Sequence, residues 1–235
     1  MSEIFTPANL TAIATVILAA LLHATVQLGL AALTLLYHES ATRHVTKKTK
    51  SLISSFIAGT GIMIILLVGA TCFIADRLIG IPICTEVLCA IAGVLIATSI
   101  IMFFLYYRKS GTELWIPKPI ANFVHHRAKV TDNNTEAFSL GILCSISELP
   151  IIITPLVVAT SSILSAPAYL QLLLVALYAI IAVLPPIIFR LSVHTGRTAI
   201  DIQKWRLKNK NFLRAISGFA FLILALFIIT FQIIS

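Results

Sequence analysis

Long stretches of this chain carry no formal charge, and that limits its folding more than any other feature. Residues 4–38, 51–75, 87–107, 137–147, 149–189 and 215–235 contain no Asp, Glu, Lys or Arg. A bilayer's hydrocarbon core takes roughly 20 apolar residues per helical span. The runs resolve into six spans, approximately 10–36, 52–76, 86–107, 137–162, 168–190 and 212–234, the fourth and fifth separated near Ser165-Ala166-Pro167. Composition agrees, with 59% hydrophobic residues, 11% charged and a mean hydropathy of +1.01. Soluble domains carry about a quarter charged residues. The expected fold is all-α and integral to the cell membrane, multi-pass, one membrane domain over residues 1–235 with no room for a separate soluble domain. The opening Met-Ser-Glu-Ile-Phe-Thr-Pro lacks the basic start of a signal peptide, so the first span is read as a mature helix.

A net charge of +8 would point to nucleic acid in a soluble protein. Here the placement of the charges explains it better, and no nucleic-acid partner is expected. Arg43, Lys47, Lys48 and Lys50 fall in one connector; Arg108, Lys109, Lys118, Arg127 and Lys129 in a second; Arg190, Arg197, Lys204, Arg206, Lys208, Lys210 and Arg214 in a third. Only Arg77 lies on the opposite side. The positive-inside rule puts those three connectors in the cytoplasm and both termini outside. Trp115 and the Lys204-Trp205-Arg206 run read as interfacial anchors to membrane lipids. His125-His126-Arg127 reads as a solvated loop, since two adjacent histidines without further ligands make a poor metal site.

Glu148 stands alone between two of the uncharged runs, directly before Leu149-Pro150. An ionised carboxylate at the centre of a span costs on the order of 2.5–3.5 kcal/mol, unless it is protonated, paired or facing water. It marks a candidate site; the simpler alternative is a neutral acid holding helices together by hydrogen bonds. On a helix, Cys144, Ser145 and Glu148 share a face, so Ser145 could donate to the carboxylate, with Ser147 or Thr154 joining if the backbone opens. His23 and Gln27 share a face of the first span, where an imidazole or carboxamide also serves as ordinary interhelical packing. A His23–Glu148 pair near the midplane would change protonation with occupancy.

Proline inside a helix leaves the carbonyl four residues earlier without its partner. Pro150 would free Ile146, Pro155 would free Ile151, and Pro185 and Pro186 would free Ile181 and Ala182. Gly59 and Gly61 are expected to loosen the corresponding helix of the first half. Broken helices survive in lipid where the freed groups are buried in protein or line a cavity.

Two halves echo one another at an offset of 125 residues: Leu88-Cys89-Ala90-Ile91-Ala92-Gly93 against Leu213-Arg214-Ala215-Ile216-Ser217-Gly218, His23 against Glu148, and Gly59-Thr60-Gly61 against Leu184-Pro185-Pro186. With three spans per half, the second half enters the membrane in the opposite sense. The expectation is two inverted three-helix repeats, about 8–110 and 135–235, joined by a cytoplasmic linker over 108–136. Such repeats place a central site near the midplane of secondary transporters.

Ala137-Phe138-Ser139-Leu140-Gly141-Ile142-Leu143 followed by Ser145-Ile146-Ser147-Glu148-Leu149-Pro150 resembles the first-helix motif of the cytochrome c biogenesis (DsbD-type) transmembrane family. The three-plus-three arrangement resembles the wider lysine-exporter superfamily. The resemblance implies an inverted-repeat transport scaffold. It departs at the redox positions: Ser147 stands where the motif has cysteine, and the first span has none. The His-x4-Asp-His element of related nickel and cobalt exporters begins at His23 but meets Leu28-Gly29 in place of Asp-His. Cys72, Cys84 and Cys89 either form a disulfide or pack as small apolar residues.

The expected function is secondary transport or export of a small solute or cation, proton-coupled through Glu148 with His23. Alternatives are a transmembrane thiol-disulfide carrier, or a non-transporting membrane partner subunit; a homodimer is also expected from the chain's small size. No Walker, HExxH or GxSxG motif and no paired carboxylates occur, so neither enzyme activity nor a cofactor is expected.

Overall fold

The computed structural model describes residues 6–26, 29–43, 46–78, 84–104, 118–194, 204–205 and 208–234. Among the described residues there is no strand. The helices are α1 (Pro7–Thr25), α2 (Gly29–Arg43), α3 (Thr46–Leu78), α4 (Thr85–Phe104), α5 (Lys118–Val130), α6 (Asn134–Ser147), α7 (Leu149–Ser165), α8 (Ala168–Ala182), α9 (Leu184–His194) and α10 (Lys210–Ile228), the last running into a π-helical turn over Ile229–Ile233. Among the described residues, four helices are long and apolar enough to cross a membrane, or up to six spans if each of two bent pairs counts as one. The length and apolar character of these helices suggest a multi-pass membrane protein.

Local chemistry sets several helix ends. Thr6 Oγ1 accepts from Asn9 N at 3.3 Å while Pro7 opens α1, where a missing N–H costs nothing. Asn133 Oδ1 accepts from Glu136 N at 2.9 Å, and Glu136 Oε2 accepts from Asp132 N at 3.0 Å, a reciprocal cap on α6.

Two apolar cores result. The larger joins α1, α4, α7, α8, α10 and the C-terminal half of α3 through Ala19, Leu22, Leu95, Ile152, Leu156 and Phe221. The smaller joins α2, α5, α6, α9 and the N-terminal half of α3 through Leu33, Leu36, Phe56, Ala128, Leu140 and Phe189. At about 1.5 Å per residue the 33-residue α3 is about 50 Å long, against a hydrocarbon core of about 30 Å, so one helix serves both cores.

Several sequence expectations need correction. The first span is not one helix over 10–36: α1 stops at Thr25, where Val26 N bonds back to His23 O at 3.2 Å, and α2 begins at Gly29. The 108–136 linker contains α5, so His125 and His126 lie exposed on a helix and not in a loop. Gly59 and Gly61 do not break α3, which runs unbroken through both. In lipid an opened backbone turn leaves polar groups without partners, a larger penalty than the roughly 1 kcal/mol a helical glycine costs. Gly59 instead allows close approach: a Cβ there would collide with the carbonyl of Phe138 on α6, and one on Gly141 with the carbonyl of Phe56 on α3. Pro155 lies inside α7 without ending it.

The true breaks come just ahead of the other prolines. α6 and α7 meet at Glu148 with a bend of 77°, and α8 and α9 meet at Val183 with a bend of 42°. Pro150, Pro185 and Pro186 then occupy the first turns of the helices that follow, where an absent N–H is harmless. The chain turns before each proline, so the proline starts the new helix.

Candidate functional site

Glu148 sits at the sharper of the two bends that divide apolar spans, with its side chain turned inward and only 2% of the residue exposed. Its backbone remains satisfied, since Glu148 N donates to Cys144 O at 3.1 Å and Glu148 O accepts from Ile152 N at 3.1 Å. The side chain lies where the two cores meet. Cys144 of the smaller core faces it from α6 and Phe56 of that core lies beside Gly29, while Tyr178 of the larger core stands behind the His23 imidazole.

Gly29 N, the first amide of α2, donates to Glu148 Oε1 at 2.7 Å. That donor belongs to the positive end of a 15-residue helix, where a negative charge is favoured. His23 of α1 is 0% exposed and brings Nε2 to 3.7 Å from Glu148 Oε2, within ion-pairing range but too long for a hydrogen bond. Its other ring nitrogen, Nδ1, is 3.0 Å from the Tyr178 hydroxyl on α8. If Tyr178 donates to Nδ1, the imidazole carries its proton on Nε2 and aims it at the carboxylate; a protonated ring would make Tyr178 the acceptor. The site is therefore a line of polar groups from Tyr178 through His23 and Glu148 to the α2 amide. Three helices and one break contribute to it.

Other residues singled out by sequence fall differently. Ser145 is buried on α6, but its Oγ donates to Gly141 O at 3.2 Å and not to the carboxylate. Ser147 Oγ likewise donates to Leu143 O at 2.8 Å. A hydroxyl in apolar surroundings satisfies itself most cheaply on the carbonyl one turn back, which removes both from the Glu148 site. Thr154 is half-buried in the second turn of α7. Gln27, Trp115 and Arg206 lie outside the described residues. Trp205 is 53% exposed.

Tyr178 and Gly29 are the residues that sequence reasoning missed. Tyr178 lies in an uncharged run with no pattern setting it apart, and Gly29 acts through its backbone, which no side-chain motif reveals. A second polar group also went unread. Gln232, in the π-helical turn, donates from Nε2 to Thr15 Oγ1 of α1 at 3.3 Å and to Ser162 Oγ of α7 at 3.1 Å. The wider turn carries Gln232 into the seam between α1 and α7.

All four cysteines are free thiols: Cys144 is buried, Cys72 half-buried, Cys84 and Cys89 exposed. Among the described residues, no group of three or more His, Cys, Asp or Glu side chains could hold a metal ion. No family model matches the chain, and no curated protein or solved structure matches it.

Proposed function

We propose that this protein is a secondary transporter or exporter of a small solute, proton-coupled through Glu148 with His23 as its partner. One observation carries the reading: an ionisable pair is buried at the seam between two apolar cores, beside a 77° break. A carboxylate placed there for stability alone would be a costly way to join helices that already pack through apolar cores. A carboxylate that must take up and release a proton has to sit where parting surfaces can bring water to it.

The helix order supports an inverted-repeat arrangement, and the basic connectors favour both termini outside. Moved 125 residues along, α4 overlies α10 almost end to end, α1 covers α6, and α3 covers α8 and α9. The α7–α8 pair lies between the bends at Glu148 and Val183, which serve as its hinges in this reading. Rocking of that pair with α1 against α2 and α6 would open the seam and expose Glu148 to one side at a time. With both His23 and Glu148 closed to solvent, the geometry described fits the occluded state of such a cycle.

The test is reconstitution of the wild-type protein in liposomes with a panel of labelled small cations, zwitterions, neutral solutes and carboxylates, each with and without an imposed pH gradient. At least one solute should accumulate only when the gradient is present. Absence of protein-dependent flux across the panel would remove the transporter reading.

A further inference from the structure

Among the described residues, the polar groups that meet the Glu148 carboxylate can each act as a hydrogen-bond donor, and this describes what the position is shaped to hold. Gly29 N–H meets Oε1 at 2.7 Å, at the positive end of α2. His23 Nε2, wholly buried and without a hydrogen-bond partner, points at Oε2 from 3.7 Å. The Tyr178 hydroxyl braces the far side of the imidazole at 3.0 Å. Helix-end amides of this kind bind the carboxylates of solutes in transporters built from broken helices. The unmet Nε2 is a second, independent sign that the cradle can hold an oxygen anion closer than Glu148 does.

Resting on the transporter reading above, we propose that this cradle is a carboxylate-binding site in which Glu148 is the resident ligand, and that the transported solute is a small monocarboxylate that takes its place. The charge logic sets the stoichiometry. Two carboxylates sharing one buried site cannot both stay ionised. A solute carboxylate can therefore occupy the cradle only when Glu148 has taken up a proton and let go of the α2 amide. One proton accompanies one carboxylate, and the site carries the same net charge before and after the exchange. Among the described residues, the ionisable groups surrounding the exchange are His23 from α1, Tyr178 from α8 behind it, and Cys144 one turn earlier on α6.

Chemical rescue tests the site without relying on flux. Glu148→Ala, purified in detergent, should melt below wild type, and sodium formate should raise its Tm saturably. Sodium chloride at equal ionic strength, and formamide as the uncharged analogue of similar shape, should not. Equal Tm in formate, formamide and chloride would overturn the proposal. The second arm uses wild-type proteoliposomes, which covers the case in which Glu148→Ala does not fold. Labelled pyruvate should exchange across the membrane and methylammonium should not. Exchange of methylammonium or a neutral solute without pyruvate would overturn the carboxylate class and leave the transporter reading standing. If no solute of any class moved, that reading would fail, and the proposed solute class with it; formate rescue would then establish the cradle alone.

Discussion

At the scale of single residues, compensation of Glu148 explains the site. The carboxylate is met by a main-chain donor on α2 and an imidazole on α1, and the imidazole is held by a tyrosine on α8. Polar contacts between membrane helices are worth about 0.6–2 kcal/mol each. Tyr178→Phe keeps the ring packing of the 5.7 Å pair with His23 but removes its hydroxyl. It should cost about 1 kcal/mol, read from reversible unfolding in detergent or bicelles. A variant as stable as wild type would show that His23 is not held through Nδ1. Glu148 was legible in the sequence because an isolated charge in a long uncharged run has few explanations. Tyr178 and Gly29 were not, since a hydroxyl on an aromatic ring and a helix-end amide acquire meaning only from what they face.

At the scale of helices, glycines and prolines act through position rather than identity. Gly59 and Gly141 sit where α3 and α6 touch backbone to backbone, whereas Gly69 and Gly93 face open space. Gly59→Ala or Gly141→Ala should force the crossing apart and cost about 1–3 kcal/mol, as overpacked sites do. Gly93→Ala should leave stability unchanged or raise it by up to about 1 kcal/mol, because alanine favours the helix. Thermal unfolding of the set distinguishes the two kinds of glycine. Sequence alone pointed to loosening at Gly59, because the partner surface that gives the residue its role lies about 80 positions away, on Phe138. At the start of α2 a sharper comparison is available. Gly29→Ala keeps the N–H, and its added Cβ would meet Phe56 Cζ at 3.5 Å, an ordinary contact. Gly29→Pro removes the N–H at a helix position that tolerates proline. Proton-coupled flux should survive the alanine variant and fall sharply in the proline variant; equal activity would discount the α2 amide.

At the scale of the whole molecule, bilayer physics made the class legible: spans must be long, apolar and helical, and the composition leaves few alternatives. The division into two cores was not legible, because both are built from the same apolar residues and share α3. Sidedness is open to direct measurement. With both termini outside, exposed Cys84, just ahead of α4, should react with a membrane-impermeant maleimide in right-side-out vesicles, while buried Cys144 stays unlabelled. Labelling of Cys84 only after inversion would reverse the orientation drawn from the basic connectors. The most direct measurement compares wild type with Glu148→Gln in proteoliposomes loaded with a pH-sensitive dye, driven by a gradient of whichever solute the wild type carries. Glutamine keeps the side chain's size and an oxygen for the α2 amide but cannot take up or release a proton. The solute gradient should move protons in wild type, and the glutamine variant should fall to the level of protein-free vesicles. A variant that moves protons as fast as wild type would contradict a coupling role for the buried carboxylate.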